Sequence, residues 1–141
     1  MNNNKKKVNY LIDFENVGVK GLEGAEKLSK NDYVHIFSTK NAPKITTATL
    51  ATLNKTNLTV HEVPAKKQSV DMHLVSYLGY LIGTDGNSSK YFIISKDTDY
   101  VNIIKYWEKE INITVNYKEN LDPEQITSSE NSTKGGKKKR K

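Results

Sequence analysis

The segment Tyr91-Phe92-Ile93-Ile94-Ser95-Lys96-Asp97-Thr98-Asp99-Tyr100 decides the fold. Its first four residues are the most hydrophobic run in the chain, with no polar residue alternating among them. A strand that is apolar on both sides has to be covered on both sides, which predicts a central strand of a parallel sheet. The next six residues turn polar at once. The chain therefore leaves the sheet at Ser95 and enters a helix over about residues 98–110, followed by a last strand at 111–116.

Reading outward toward the amino end, the same alternation recurs. A long helix is predicted over 69–83, with an apolar stripe at Leu74, Val75, Leu78 and Ile82 and Leu81 adjoining. A strand at 58–63 closes on Pro64. Residues 44–55 predict a helix weakened by Thr46, Thr47, Thr49 and Thr52. A strand at 33–38, a helix around 20–29 and a first strand, Val8-Asn9-Tyr10-Leu11-Ile12-Asp13, complete the series. Five strands alternating with four helices imply a three-layer α/β/α domain with a mainly parallel five-stranded sheet, here residues 8–126. Residues 1–7 read as a flexible basic arm. Residues 127–141 contain no apolar side chain, cannot offset the entropy of ordering, and read as a disordered basic tail.

The 141 residues suffice for one domain with a real core. The chain has no cysteine, which excludes disulfides and thiolate metal sites. No apolar run approaches the roughly 20 residues that span a bilayer. Val8–Ile12 follows three lysines as a signal peptide's core would, but it is short and Asp13 and Glu15 interrupt it. The expectation is a cytoplasmic protein without a membrane partner. The net charge of +6 is unevenly placed: residues 8–126 hold 13 basic and 15 acidic side chains, so the basicity belongs to the two ends. Such arms suit a protein that holds phosphates at its edges and a cation at its centre, although polybasic ends also serve solubility alone.

Ligands of open α/β sheets gather at the strands' carboxyl ends. Asp13 ends the first strand, and Asp97 and Asp99 lie just past the fourth. Each has a plain alternative, Asp97 as a helix cap and Asp13 as a loop residue. Asp71 adds weight because it lies three and four residues before Leu74 and Val75, in line with the buried stripe. A favourable interaction with the helix dipole would not require that alignment. Four carboxylates in one crevice raise one another's pKa, a conflict that a divalent cation removes. Oxygen-only ligation selects Mg²⁺ or Mn²⁺. His35 and His61 fall mid-strand as structural histidines, and His73 lies on another helical face from Asp71, so no histidine is assigned to the site.

These residues resemble the PIN-like domains of the NYN family. Leu11-Ile12-Asp13-Phe14-Glu15-Asn16-Val17 is similar to their opening motif, Ser95-Lys96-Asp97-Thr98-Asp99-Tyr100 to their Ser-x-Asp-x-Asp-aromatic signature, and Val70-Asp71-Met72-His73-Leu74 to the helix acid between them. The resemblance spans roughly residues 8–117. It implies a Mg²⁺- or Mn²⁺-dependent RNA phosphodiesterase, expected to cut endonucleolytically, with Asp13, Asp71, Asp97 and Asp99 as catalytic metal ligands. Asn16 would order the first acidic loop or meet substrate, and Ser95 would steady the second. Lys66, Lys67 and Lys96 are the best-placed phosphate contacts, followed by Lys40 and Lys44. Glu15 is set aside as a spare acid. RNA is the expected partner, with DNA and a homodimer left open.

One departure stands out. Several members carry another acid two turns into the third helix, where this chain has Val75-Ser76-Tyr77-Leu78. That keeps alive an alternative: a catalytically weak or inactive PIN-like module that binds RNA or a protein. Two other aspartate-using folds fit poorly. A phosphotransfer receiver wants an acid where Val63-Pro64 stands, and a haloacid-dehalogenase-type phosphatase wants Asp-x-Asp where the chain has Asp13-Phe14-Glu15.

Overall fold

A computed structural model describes residues 6–123. The first five residues, the expected domain end at 126 and the expected tail 127–141 lie outside the described residues. Five strands, β1 (Lys7–Asp13), β2 (Asp32–Ser38), β3 (Asn57–Glu62), β4 (Ser89–Ile94) and β5 (Val115–Lys118), form one sheet in the order β3-β2-β1-β4-β5. Every pairing is parallel. Four helices accompany it: α1 (Phe14–Val17), α2 (Thr47–Leu53), α3 (Ser69–Asp85) and α4 (Tyr100–Tyr106), the last prolonged by a π-helical turn, Trp107–Ile111. This is the three-layer α/β/α arrangement expected from the alternation of the chain.

The pleat explains the apolar central strands. Leu11 and Ile93 join one core with Leu74, Leu78, Tyr100 and Ile104 of α3 and α4. Their neighbours Tyr10, Ile12 and Ile94 join the other, with Phe14 and Val17 of α1 and Leu53 of α2. Successive side chains thus serve opposite layers, and neither face can be polar. The connections from β1 to β2 and from β2 to β3 pack on one face, whereas α3 and α4 pack on the other. The strand order consequently reverses between β1 and β4. Loops leaving the carboxyl ends of these two neighbours diverge and open a crevice there.

Several element expectations need correction. No helix forms over 20–29; the chain makes the short α1 and two 3-10 turns, Gly18–Leu22 and Ala25–Lys27. Glycines set this path. Gly18 and Gly24 adopt φ of 59° and 94°, which end a helix, and a Cβ on Gly24 would sit 2.3 Å from the Asp122 backbone. The helix expected over 44–55 shrinks to Thr47–Leu53, with Thr46 accepting a capping bond from the Thr49 N–H. The helix expected over 98–110 starts two residues later and widens into the π turn. The last strand begins at Val115 rather than 111, because Ile111 belongs to that turn and Asn112 reverses the chain at φ 62°. Strand β1 takes in Lys7, which had been placed in the flexible arm.

The two glycine environments make opposite stability predictions. Gly24→Ala forces a side chain into the Asp122 backbone and is expected to cost roughly 2–3 kcal/mol. Gly83→Ala, within α3 and with no atom within 4 Å of the added methyl, is expected to gain about 0.5–1 kcal/mol. Urea unfolding of both variants measures the difference.

Candidate active site

Strand register builds the site. Ile12 of β1 pairs with Ile94 of β4, so Asp13 and Ser95 emerge side by side at the carboxyl edge. On the other side Asp13 is level with Phe37 of β2, which puts Thr39 just beyond it. Asp13 is 5% exposed. Its Oδ2 accepts a hydrogen bond from the Tyr100 hydroxyl at 3.1 Å and lies 3.3 Å from the Ser95 hydroxyl. Burial raises the Asp13 pKa above the usual carboxylate value. The bonds from Tyr100 and Ser95 and the Asn16 backbone oppose that shift, and the charge of Asp71 adds to it.

Ser95 and Asn16 tie the two acidic loops together. The buried Ser95 hydroxyl also lies 3.2 Å from Asn16 Oδ1, so its single hydrogen is divided between that oxygen and Asp13. The same hydroxyl oxygen accepts the Asp97 N–H at 3.0 Å. Asn16 Oδ1 further accepts the Lys96 N–H at 2.6 Å. Asp97 in turn accepts the Asp99 N–H at 2.9 Å, closing the turn that leads into α4. Asp71 arrives from the opposite wall, in the first turn of α3, where its Oδ1 accepts its neighbour's Met72 N–H at 2.9 Å.

A cleft of about 480 Å³ occupies the crevice, and Asp13, Asp71 and Asp97 all line it. Lys66 and Asn16 line it too. Asp99 does not. It faces a smaller apolar depression of about 170 Å³ that shares Asp71 and Asp97 with the cleft. Lys67 and Lys96 are exposed outside the cleft, as are Lys40 and Lys44, and Ser95 acts behind the wall. The three histidines line no part of it.

The cleft also gathers residues the motifs did not single out: Glu15, Thr39, Asn41 and Gln68. In the sequence Glu15 reads as a spare acid outside the site. Instead β1 ends at Asp13 and α1 begins at Phe14, so Glu15 swings to the cleft, where Oε2 accepts the Thr39 N–H at 3.2 Å and hydroxyl at 3.1 Å. The apolar spacing of Phe14 and Val17 was the available signal. Thr39 and Asn41 carry none.

The carboxylates act on one another. Burial, followed by the charges of Asp13, Asp71 and Asp97, drives the Tyr100 phenol far above its ordinary pKa, and Tyr117 is pushed up to about 12 by burial and then by Asp97, Glu119 and Asp13. Oxygen donors gathered in one cleft fit a hard divalent cation. Among the described residues, however, no three acidic or imidazole groups form a ready-made metal cluster. The donors share a cleft without meeting at one point, and Asp71 and Asp97 are both partly exposed.

A family profile for the PIN domain matches residues 7–117, from the start of β1 to within one residue of the end of β5. The chain belongs to the PIN domain family. PIN domains are generally nucleases and typically use divalent metal ions. No curated protein and no solved structure matches this PIN domain. Among its described residues no helix is long and apolar enough to cross a membrane.

Asp13 yields a stability prediction with a definite sign. Its folded pKa lies above the unfolded value, so between the two the native state binds more protons and stability falls as pH rises. Asp13→Asn removes that loss. In EDTA at neutral pH the variant should melt higher than the wild-type chain, and its stability should vary less between pH 4 and 7. Scanning calorimetry across that range checks both; an unchanged pH profile contradicts the assignment.

Proposed function

We propose that this PIN domain is a metal-dependent ribonuclease of the NYN kind that cuts RNA within the strand. One observation carries the reading: acids from β1, from α3 and from the β4–α4 loop line one cleft at the point where strand order reverses. Asp13, Asp71 and Asp97 would hold Mg²⁺ or Mn²⁺. Such a cation, when bound, acidifies water and offsets charge that builds on the phosphoryl oxygens.

The chain's own groups divide the remaining work. Asp13, anchored by Tyr100 and Ser95, is the fixed reference, and the partly exposed Asp71 and Asp97 adjust to it. Lys66 on the cleft wall draws a phosphate toward the acids. Asn16 and Ser95 keep the two acidic loops in register, and Asn41 and Gln68 offer amides to substrate. Asp99 belongs to the neighbouring depression, beside the reacting groups rather than among them. The choice of RNA over DNA rests on the resemblance to NYN domains.

A second reading, a module that binds RNA or a protein partner without cutting, draws on the unassembled state of the acids and on Val75-Ser76-Tyr77-Leu78 in place of a further helix acid. Incubation of the protein with single-stranded and structured RNA separates the two. The nuclease reading expects cleavage with Mn²⁺ or Mg²⁺, none in EDTA, and a loss of about 100-fold or more in Asp97→Asn with an unchanged circular dichroism spectrum. Cleavage that persists in EDTA or in the variant overturns it. Binding without cleavage under every metal condition selects the module.

A further inference from the structure

Helix α3 borders a second surface feature that the acid cleft does not use. His73, Tyr77 and Tyr80 on this helix face Phe37, His61 and Glu62 across a groove of about 400 Å³. The rings form a continuous ladder. Phe37 and His61 stack at 4.4 Å with planes 5° apart, His61 meets Tyr77 at 4.7 Å, and Tyr77 meets Tyr80 at 5.5 Å. One end of the ladder, Phe37, is buried core, whereas Tyr80 is 60% exposed. Strand β3, the edge of the sheet among the described residues, flanks the groove. Rings that served only the core would not run out into water.

The groove and the acid cleft are neighbours along α3. His73 Nδ1 donates to the Ser69 carbonyl at 2.7 Å, and Ser69 lines the cleft. From Ser69 to Tyr80 the helix advances about 16 Å, against roughly 3.4 Å for each base of a stacked strand, so several bases fit along it. Glu62 is the one acid in the groove lining, and the exposed Lys66 lines the neighbouring cleft. That pattern offers ring faces to bases and positive charge to the backbone.

We infer that this groove is a stacking track for an unpaired RNA strand, with Tyr80 and Tyr77 receiving bases while the phosphates run past Lys66 toward the acidic cleft. Duplex RNA keeps its bases stacked on one another and cannot use such a track. Burial holds both His35 and His61 below the ordinary imidazole pKa. The inference rests on the ribonuclease reading only for its choice of ligand.

The test measures binding of the full chain to a fluorescein-labelled 12-nucleotide oligoadenylate by anisotropy, in EDTA so that cleavage plays no part. Tyr80→Ala, at an exposed position outside the buried core, is expected to weaken binding roughly tenfold. Tyr80→Trp should restore it, and an RNA duplex of equal length should be insensitive to both changes. Wild-type affinity in Tyr80→Ala, no binding by the wild-type chain, or an equal effect on the duplex overturns the track. So does a change in self-association on sedimentation with RNA affinity unaltered, which would make the groove an interface between two copies. Because no cleavage is read, failure here is distinct from failure of the Asp97→Asn assay.

Discussion

A carboxylate that is almost out of water governs this molecule. Asp13 sits at the carboxyl end of the central strand, and its negative charge is met by neutral hydroxyls rather than by a cation. Hydrogen bonds from Tyr100 and Ser95 lessen the cost of desolvation but do not cancel the charge. Much of the nearby architecture serves that compromise. Tyr100 reaches Asp13 only because the Ser95–Asp99 turn delivers it as the first residue of α4, and Ser95 is adjacent only because β1 and β4 are paired in parallel register. Asp71 then adds more negative charge from across the crevice. The switch point is left electrically unfinished, and a hard cation is the partner that its donors suit.

The acids are held with unequal firmness. Asp13 is fixed by two side chains from other elements, whereas the Asp71 and Asp97 carboxylates accept backbone amides one and two residues on and remain partly open to solvent. A site with one rigid donor and two adjustable ones can accept an ion without remaking the sheet. It also explains how three carboxylates can line one cleft without forming a finished cluster.

What could be read from residue order is what depends on local period. The uninterrupted apolar run before Ser95 announced a strand covered on both sides, and the stripe on α3 showed that Asp71 shares a line with core residues. The course of residues 18–27 was hidden because two glycines at positive φ and the approach of Asp122 to Gly24 decide it, and that approach joins residues nearly a hundred positions apart. Asp99 looked equivalent to Asp97 from spacing alone, yet the turn places it in the neighbouring depression. Glu15 reads as a spare acid because its bonds to Thr39 arise only when β1 and β2 pair. His35 and His61 read as structural residues. Their membership of a ring ladder with Tyr77 arises only when β2, β3 and α3 come together.

The central place of β1 in the sheet also shapes how the chain can be made. Strand β1 is synthesised first, but one of its two partners is β4, with Asn9 lying opposite Tyr91. During translation β2 and β3 can add to one side of β1 long before its other side is covered. A nascent chain that stops short of Ser89 therefore carries a bare, strongly apolar strand edge, the kind of surface that pairs with a neighbouring chain. Closure across such a separation is slow in sheets of high contact order. The reversal of strand order that opens the cleft is thus also the step at which this protein is most exposed to misassembly.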